Sequence, residues 1–177
     1  MNDKVYMVHE INDKIIKKLN TLPDESIITL DDGLFTQFKN RDYLKRFKRV
    51  IFFINPSIIC KAKQSENFIT CREAHAKAFK NNFENYMTLE QIKELNENFE
   101  IGSHSFTHKY FKDMKELLDD IEKSIIFFNE NNIKIKSFCF PYNQDYNKKH
   151  FIFAVRSKFK DLEIFGSSRI PIENIEE

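Results

Sequence analysis

Apolar positions recur along this chain with two periods, and the switch between them predicts strands and helices in turn. Val5 to Val8 reads as a short first strand leading to His9. A helical pattern follows, with Ile11, Ile15, Ile16 and Leu19 on one face, ended by the Thr21-Leu22-Pro23-Asp24 turn. Ile27 to Leu30 is a buried strand, a helix is expected from about Leu34 to Phe47, and Val50 to Ile54 is a strand apolar on both faces. A parallel strand covered by helices reads that way. The stretch from about Cys60 to Tyr86 is polar, partly aperiodic and long for a connection, so a functional loop or insertion is expected at 60–86.

Thr88, with Gln91 three residues on, marks the start of another helix. Phe99 to Gly102 is a strand. The clearest helix runs from Asp113 to about Asn131, with Met114, Leu117, Leu118, Ile121, Ile125 and Phe128 on one face. Ile135 to Phe140 is a strand, Lys148 to Lys158 a helix, and a last strand lies between Leu162 and Ile172. Strands alternating with helices over 177 residues imply a single α/β domain. Such folds build their sites at the C-terminal ends of the strands.

Composition narrows the function. Lys plus Arg number 28 against 27 Asp plus Glu, and no basic stripe interleaves with aromatics, so nucleic acid is not an expected partner. Cys60, Cys71 and Cys139 are odd in number and widely spaced, as free thiols of a reducing compartment are. No run approaches the roughly 18 apolar residues of a membrane span, and MNDKVYMVHEINDK is not a secretory segment. A cytoplasmic protein is the expectation. Phenylalanine is abundant (19) and tryptophan absent, so the core should be rich in Phe and Ile.

The candidate chemistry lies in two stretches that hold two of the three glycines or follow them. Asp31-Asp32-Gly33 ends the Ile27 to Leu30 strand, and His104-Ser105-Phe106-Thr107-His108 follows the strand that ends at Gly102. Two adjacent carboxylates where a strand meets its loop need a reason, since buried charge is costly. A divalent metal supplies one: one carboxylate binds it while the other stays free as a base. Taken alone, Asp-Gly is a common turn and a His-x-x-x-His pair is a common helix surface. Taken together they form an enzyme's constellation.

These residues resemble the motifs of the NodB-homology polysaccharide deacetylases. Thr29-Leu30-Asp31-Asp32-Gly33 is similar to the first motif of that family and His104-Ser105-Phe106-Thr107-His108, preceded by Glu-Ile-Gly-Ser, to the second. Cys139-Phe140-Pro141-Tyr142 is similar in part to the third, whose arginine corresponds here to Cys139. The resemblance covers roughly residues 5 to 172. It implies a distorted (β/α) barrel with fewer than eight units and one divalent ion, commonly Zn2+, held by Asp32, His104 and His108. Asp31 would be the general base, and Pro141 and Tyr142 would line the substrate, with the Tyr142 N–H helping to hold an oxyanion.

The chain lacks the family's tryptophan motif and its late Leu-x-His. Some exopolysaccharide deacetylases of the family are permuted and carry that histidine near the N-terminus. Met7-Val8-His9-Glu10-Ile11 is similar in type and place, so His9 is the candidate general acid; the alternative is a cap histidine opening the first helix. His75 either lines the sugar site or decorates a surface helix, and His150 falls on a solvated helix face. Arg169, at the end of the last strand, is expected to make an outward salt bridge, the alternative being to bind a phosphate or carboxylate, and Cys139 is expected to be a buried apolar filler.

The resemblance implies hydrolysis of an N-acetyl, or N-formyl, group from an amino sugar in a glycan or a nucleotide- or lipid-linked precursor. The alternatives are a non-catalytic or weakly active metal- or glycan-binding member and an amidohydrolase acting on a non-sugar amide.

Overall fold

A computed structural model of the chain describes residues 4–65 and 67–175. Seven strands form one parallel sheet: β1 (Val5–Val8), β2 (Ile27–Asp31), β3 (Arg49–Ile54), β4 (Glu100–Ser103), β5 (Ser137–Cys139), β6 (Glu163–Phe165) and β7 (Ile170–Pro171). Their order across the sheet is β6-β5-β4-β3-β2-β1-β7. The helices are α1 (Asp13–Thr21), α2 (Phe35–Lys39), α3 (Cys71–Ala78), α4 (Leu89–Asn96), α5 (Met114–Glu130) and α6 (Lys149–Lys158). The expected caps are present: Asp113 accepts from the Glu116 N–H at 2.9 Å, and Thr88 with Gln91 forms a capping box.

The sheet curls, and the connection between its outermost strands shows why. β6 and β7 lie at opposite edges, six strand spacings apart, which in a flat sheet is about 29 Å. Only residues 166–169 join them, and five Cα steps reach about 19 Å at most. The edges must therefore approach each other, and the sheet becomes a distorted (β/α) barrel with fewer than eight strands, the expected fold class.

Side chains alternate across this curled sheet as the period of two requires. From β2 and β3, Ile28, Leu30, Val50, Phe52 and Ile54 join Leu19, Ile92, Leu95 and Phe128 in the main core beneath the helices. On the opposite, concave side Ile51 and Phe53 cluster with Cys139 and Phe165. Thr29 and Asp31 alternate with Ile28 and Leu30 and so point to the concave side as well, where the site forms.

Three expectations are corrected. The single last strand is two strands, split by the crossing between the sheet edges. The helix expected from Leu34 to Phe47 ends after Lys39 and resumes as a 3-10 turn over Arg41–Leu44. Asn40 breaks it, its side-chain amide donating to the carbonyls of Thr36 at 2.9 Å and Ile11 at 3.3 Å. Third, the stretch 60–86 carries a helix, α3, opened by a Thr70–Glu73 capping box. It leaves and rejoins the barrel at a backbone bond from Cys60 N–H to the Met87 carbonyl.

Gly102, on β4, faces side chains of β3 and β5. A Cβ there would lie 2.5 Å from the Phe53 ring and 2.7 Å from Ser137 Oγ. Gly102→Val should destabilise the fold by about 1–3 kcal/mol through overpacking. Urea denaturation checks this, and an unchanged midpoint would contradict the packing described.

Candidate metal centre and active site

Asp31 and Asp32 are adjacent, and both are buried. They avoid each other because the chain turns between them. Asp31 ends β2 in extended conformation, whereas Asp32 has φ +76° and Gly33 φ +75°. Two successive left-handed residues re-aim the second carboxylate, and Gly33 supplies the freedom at the second position, where a Cβ would also meet Ile54 Cδ1 at 2.9 Å.

Asp31 is claimed by Arg169. The guanidinium donates to Asp31 Oδ1 at 2.6 Å and Oδ2 at 2.8 Å, to Thr29 Oγ1 at 3.0 Å and to the Gly166 carbonyl at 3.0 Å. This corrects the expectation of an outward salt bridge. Arg169 is only 5% exposed, because the crossing from β6 to β7 delivers it to the concave side of the barrel. The position of the motif arginine is taken by Cys139, which is buried as expected, and the cation arrives from the far end of the chain instead. Burial alone would raise the Asp31 carboxyl, but Arg169, His104 and His9 together hold it below its ordinary value.

Asp32 faces the histidines. His108 Nε2 lies 3.0 Å and His104 Nε2 3.4 Å from its Oδ1. Burial opposes ionisation here too, yet His108, His104 and His75 keep this carboxyl well below the usual range. His104 is raised well above its usual range, since Asp31, Cys139 and Asp32 outweigh its burial, whereas burial dominates at His108 and lowers it.

The loop carrying both histidines is fixed from outside. Asp120, on α5, accepts from the N–H groups of Phe106 at 2.7 Å and Thr107 at 2.9 Å and from Thr107 Oγ1 at 3.0 Å. Asn55 donates to the His104 carbonyl and to the Ser105 carbonyl at 3.3 Å. Gln37 ties β1 to β2 by donating to the carbonyls of His9 at 2.5 Å and Asp31 at 2.6 Å. Asp120, Asn55 and Gln37 carry no motif signal; only the polar character of positions on otherwise apolar faces hinted at them.

The residues fit a metal ion. One donor atom each from Asp32, His104 and His108 lie within 4.8 Å of one another. Asp32 Oδ1 is buried and accepts no hydrogen bond, so the nitrogens approach it without hydrogen-bond geometry, as ligands of a shared cation do. His104 Nδ1 donates to the Cys139 carbonyl at 2.9 Å, which turns Nε2 toward Asp32 as the ring nitrogen that would bind an ion. Asp-His-His is a catalytic donor set with open coordination positions.

A cleft of about 660 Å³ opens over these groups and is lined by His9, Asp31, Asp32, His75, His104, His108 and Tyr142, among others. His9, after β1, thus shares the cleft with the two aspartates. Tyr142, at φ +55°, packs its ring 4.7 Å from that of His108. Pro141 before it is buried. His75 lies on α3, not in a loop, with Nε2 3.3 Å from Asp32 Oδ2. Cys71, on the same helix, donates its thiol to that oxygen at 3.2 Å. His150 is exposed on α6 and is not among the residues lining the cleft. A hollow of about 820 Å³ at the other end of the strands, lined by Lys45, Asn96 and Lys134 among others, holds none of these donors.

The fold matches solved structures. IcaB from Ammonifex degensii superposes with a TM-score of 0.66 at 15% identity, over 96% of this chain and 84% of that one. The Streptococcus pyogenes deacetylase PplD in complex with acetate gives 0.61 at 10% identity, over 96% and 91%. The BpsB deacetylase domain from Bordetella bronchiseptica gives 0.51 at 12%, over 84% and 85%. No family model matches the chain, and no curated protein sequence matches it at a significant level. At these identities the likeness establishes the fold, the distorted barrel that the motif resemblance implies.

Breaking the Arg169–Asp31 pair would leave a buried charge uncompensated. Arg169→Met should therefore cost about 3–5 kcal/mol of stability. Arg169→Lys should cost less, because it restores the charge without the two-pronged fit. Urea denaturation at neutral pH measures both, and a wild-type midpoint in Arg169→Met would contradict the pairing.

Proposed function

We propose that this chain is a metal-dependent hydrolase of the NodB-homology type that removes an N-acetyl, or N-formyl, group from an amino sugar in a glycan or glycan precursor. The observation that carries the reading is the division of labour between two adjacent carboxylates. Asp31 is held by an arginine and Asp32 by two histidines, at the floor of one cleft. A protein that only bound a metal would have no use for the first.

Asp32, His104 and His108 would hold the ion. A zinc-type cation held there would supply Lewis acidity toward an amide carbonyl and a water molecule. Asp31 takes the proton from the attacking water. The Arg169 fork fixes its direction and keeps it ionised, at a cost in basicity. The Tyr142 N–H, at its left-handed turn, donates to the oxygen that gains charge. His9 protonates the departing nitrogen as the C–N bond breaks, leaving the free amine and the carboxylate.

The rim supports a sugar. Tyr142 is 49% exposed and Phe79 81% exposed, both on the cleft, and Tyr110 stands with its ring 6.4 Å from that of Tyr142. Exposed aromatic faces beside a polar floor suit a pyranose ring with its amide directed inward. The acetate held by PplD is the product that this reaction would release. Arg169 offers Asp31 the cation missing at Cys139, which supports an active member over an inactive one.

Acetate release from N-acetylglucosamine oligomers with added zinc or cobalt tests the reading. Asp31→Asn should keep the metal content of the wild type and lose on the order of 10²-fold in rate. If its metal content falls as far as that of Asp32→Ala, Asp31 is a ligand and the roles above are misassigned. His9→Ala should likewise keep its metal and slow turnover, most for substrates with poorly leaving amines; an undiminished rate on every substrate would remove His9 from the mechanism.

A further inference from the structure

Asp32 has two oxygens, and the site described so far uses one. Oδ1 faces His104 and His108, while Oδ2 lies 3.2 Å from Cys71 Sγ and 3.3 Å from His75 Nε2. We propose that Asp32 Oδ2, Cys71 and His75 form a second divalent-metal site of zinc type, with Asp32 as the carboxylate shared by two ions. The proposal goes beyond the deacetylase reading and rests on it only in assigning Oδ1 to the first ion.

The donor spacing fits. Cys71 Sγ and His75 Nε2 are 3.9 Å apart, so the three donors form a triangle with edges of 3.2, 3.3 and 3.9 Å. A tetrahedral zinc ion with bonds of about 2.0–2.3 Å has ligand–ligand edges of roughly 3.3–3.6 Å. The two donor sets share Asp32 alone among the described residues: neither Cys71 nor His75 groups with His104 or His108. The arrangement is therefore two adjoining sites and not one enlarged site. A shared carboxylate suits two ions about 3.5–4 Å apart.

The sequence and fold present these donors deliberately. Cys71 and His75 are one turn apart on one face of α3. Its capping box, the bond from the Cys71 N–H to Glu10 Oε2 at 2.8 Å and the buried Ala74 fix that helix against the barrel. The Tyr86 ring stacks on His75 at 6.4 Å and 16° between planes. Thiolate, imidazole and carboxylate together favour zinc or cobalt over magnesium or calcium. Zinc and cobalt(II) are accordingly the probes.

The test measures bound metal on the full chain. After incubation with zinc and desalting, elemental analysis should find two ions per chain in the wild type and one each in Cys71→Ser, His75→Ala and the double variant His104→Ala, His108→Ala. With cobalt(II), a thiolate charge-transfer band should appear in the wild type and the double variant and be absent from Cys71→Ser. Far-ultraviolet circular dichroism confirms that each variant is folded.

One ion and no thiolate band in the wild type would overturn the second site and leave the deacetylase reading standing, with Cys71 only hydrogen-bonded to Asp32. Two ions retained by folded Cys71→Ser or His75→Ala would also overturn it. One ion with a thiolate band that survives loss of His104 and His108 would keep this site and sink the ligand set of the deacetylase reading. No bound ion at all would end both.

Discussion

Two negative charges on consecutive buried residues repel each other, and each needs its own counter-charge within a few ångströms. That constraint organises the structure around the end of β2. The backbone answers first, turning left-handed at Asp32 and Gly33 so that the two carboxylates diverge. Asp31 then takes a guanidinium and Asp32 takes imidazoles. The curl of the sheet, the crossing between its outer strands and the placement of the histidine loop together bring those partners to one spot. An attraction of this kind in a dry interior is strong, but so is the desolvation it must offset. Completeness of the pairing therefore matters more than any single bond.

The loops around the site hold conformations that side chains other than glycine adopt reluctantly. Asp32, Ser105, His108 and Tyr142 all have positive φ. Each costs on the order of 1–3 kcal/mol and persists only where its surroundings over-determine it. Asp120 and Asn55 supply that determination for the histidine loop, together with Ser105 Oγ, which accepts from the His108 N–H at 3.1 Å. Strain at the site is thus offset by hydrogen bonds, and most of these come from side chains on other elements.

Much of this was legible in the chain itself. β2, β3 and α5 were readable because their apolar runs are long and regular, and the motif residues because adjacent aspartates and spaced histidines after strands have few structural excuses. Arg169 was misread, since an isolated arginine near a chain end resembles any surface cation; only the topology, with β6 and β7 on opposite edges, turns it inward. His75 and Cys71 were hidden for another reason. The polar stretch around them has weak periodicity, and α3 is ordered by contacts to Tyr86 and, far away in sequence, to Glu10 and Asp32. Asn40 ended a helix through side-chain bonds that propensity does not register.

The crossing between β6 and β7 has a consequence for how the protein is made. The arginine that compensates the first aspartate is synthesised 138 residues after it. Chains grow from the N-terminus at about 5–20 residues per second, so Asp31 waits for several seconds before its partner exists. During that interval β1 to β5 can pair, but the concave side cannot become dry without stranding a charge. The concave side can therefore close dry over an ionised Asp31 only once the segment that carries Arg169 has docked.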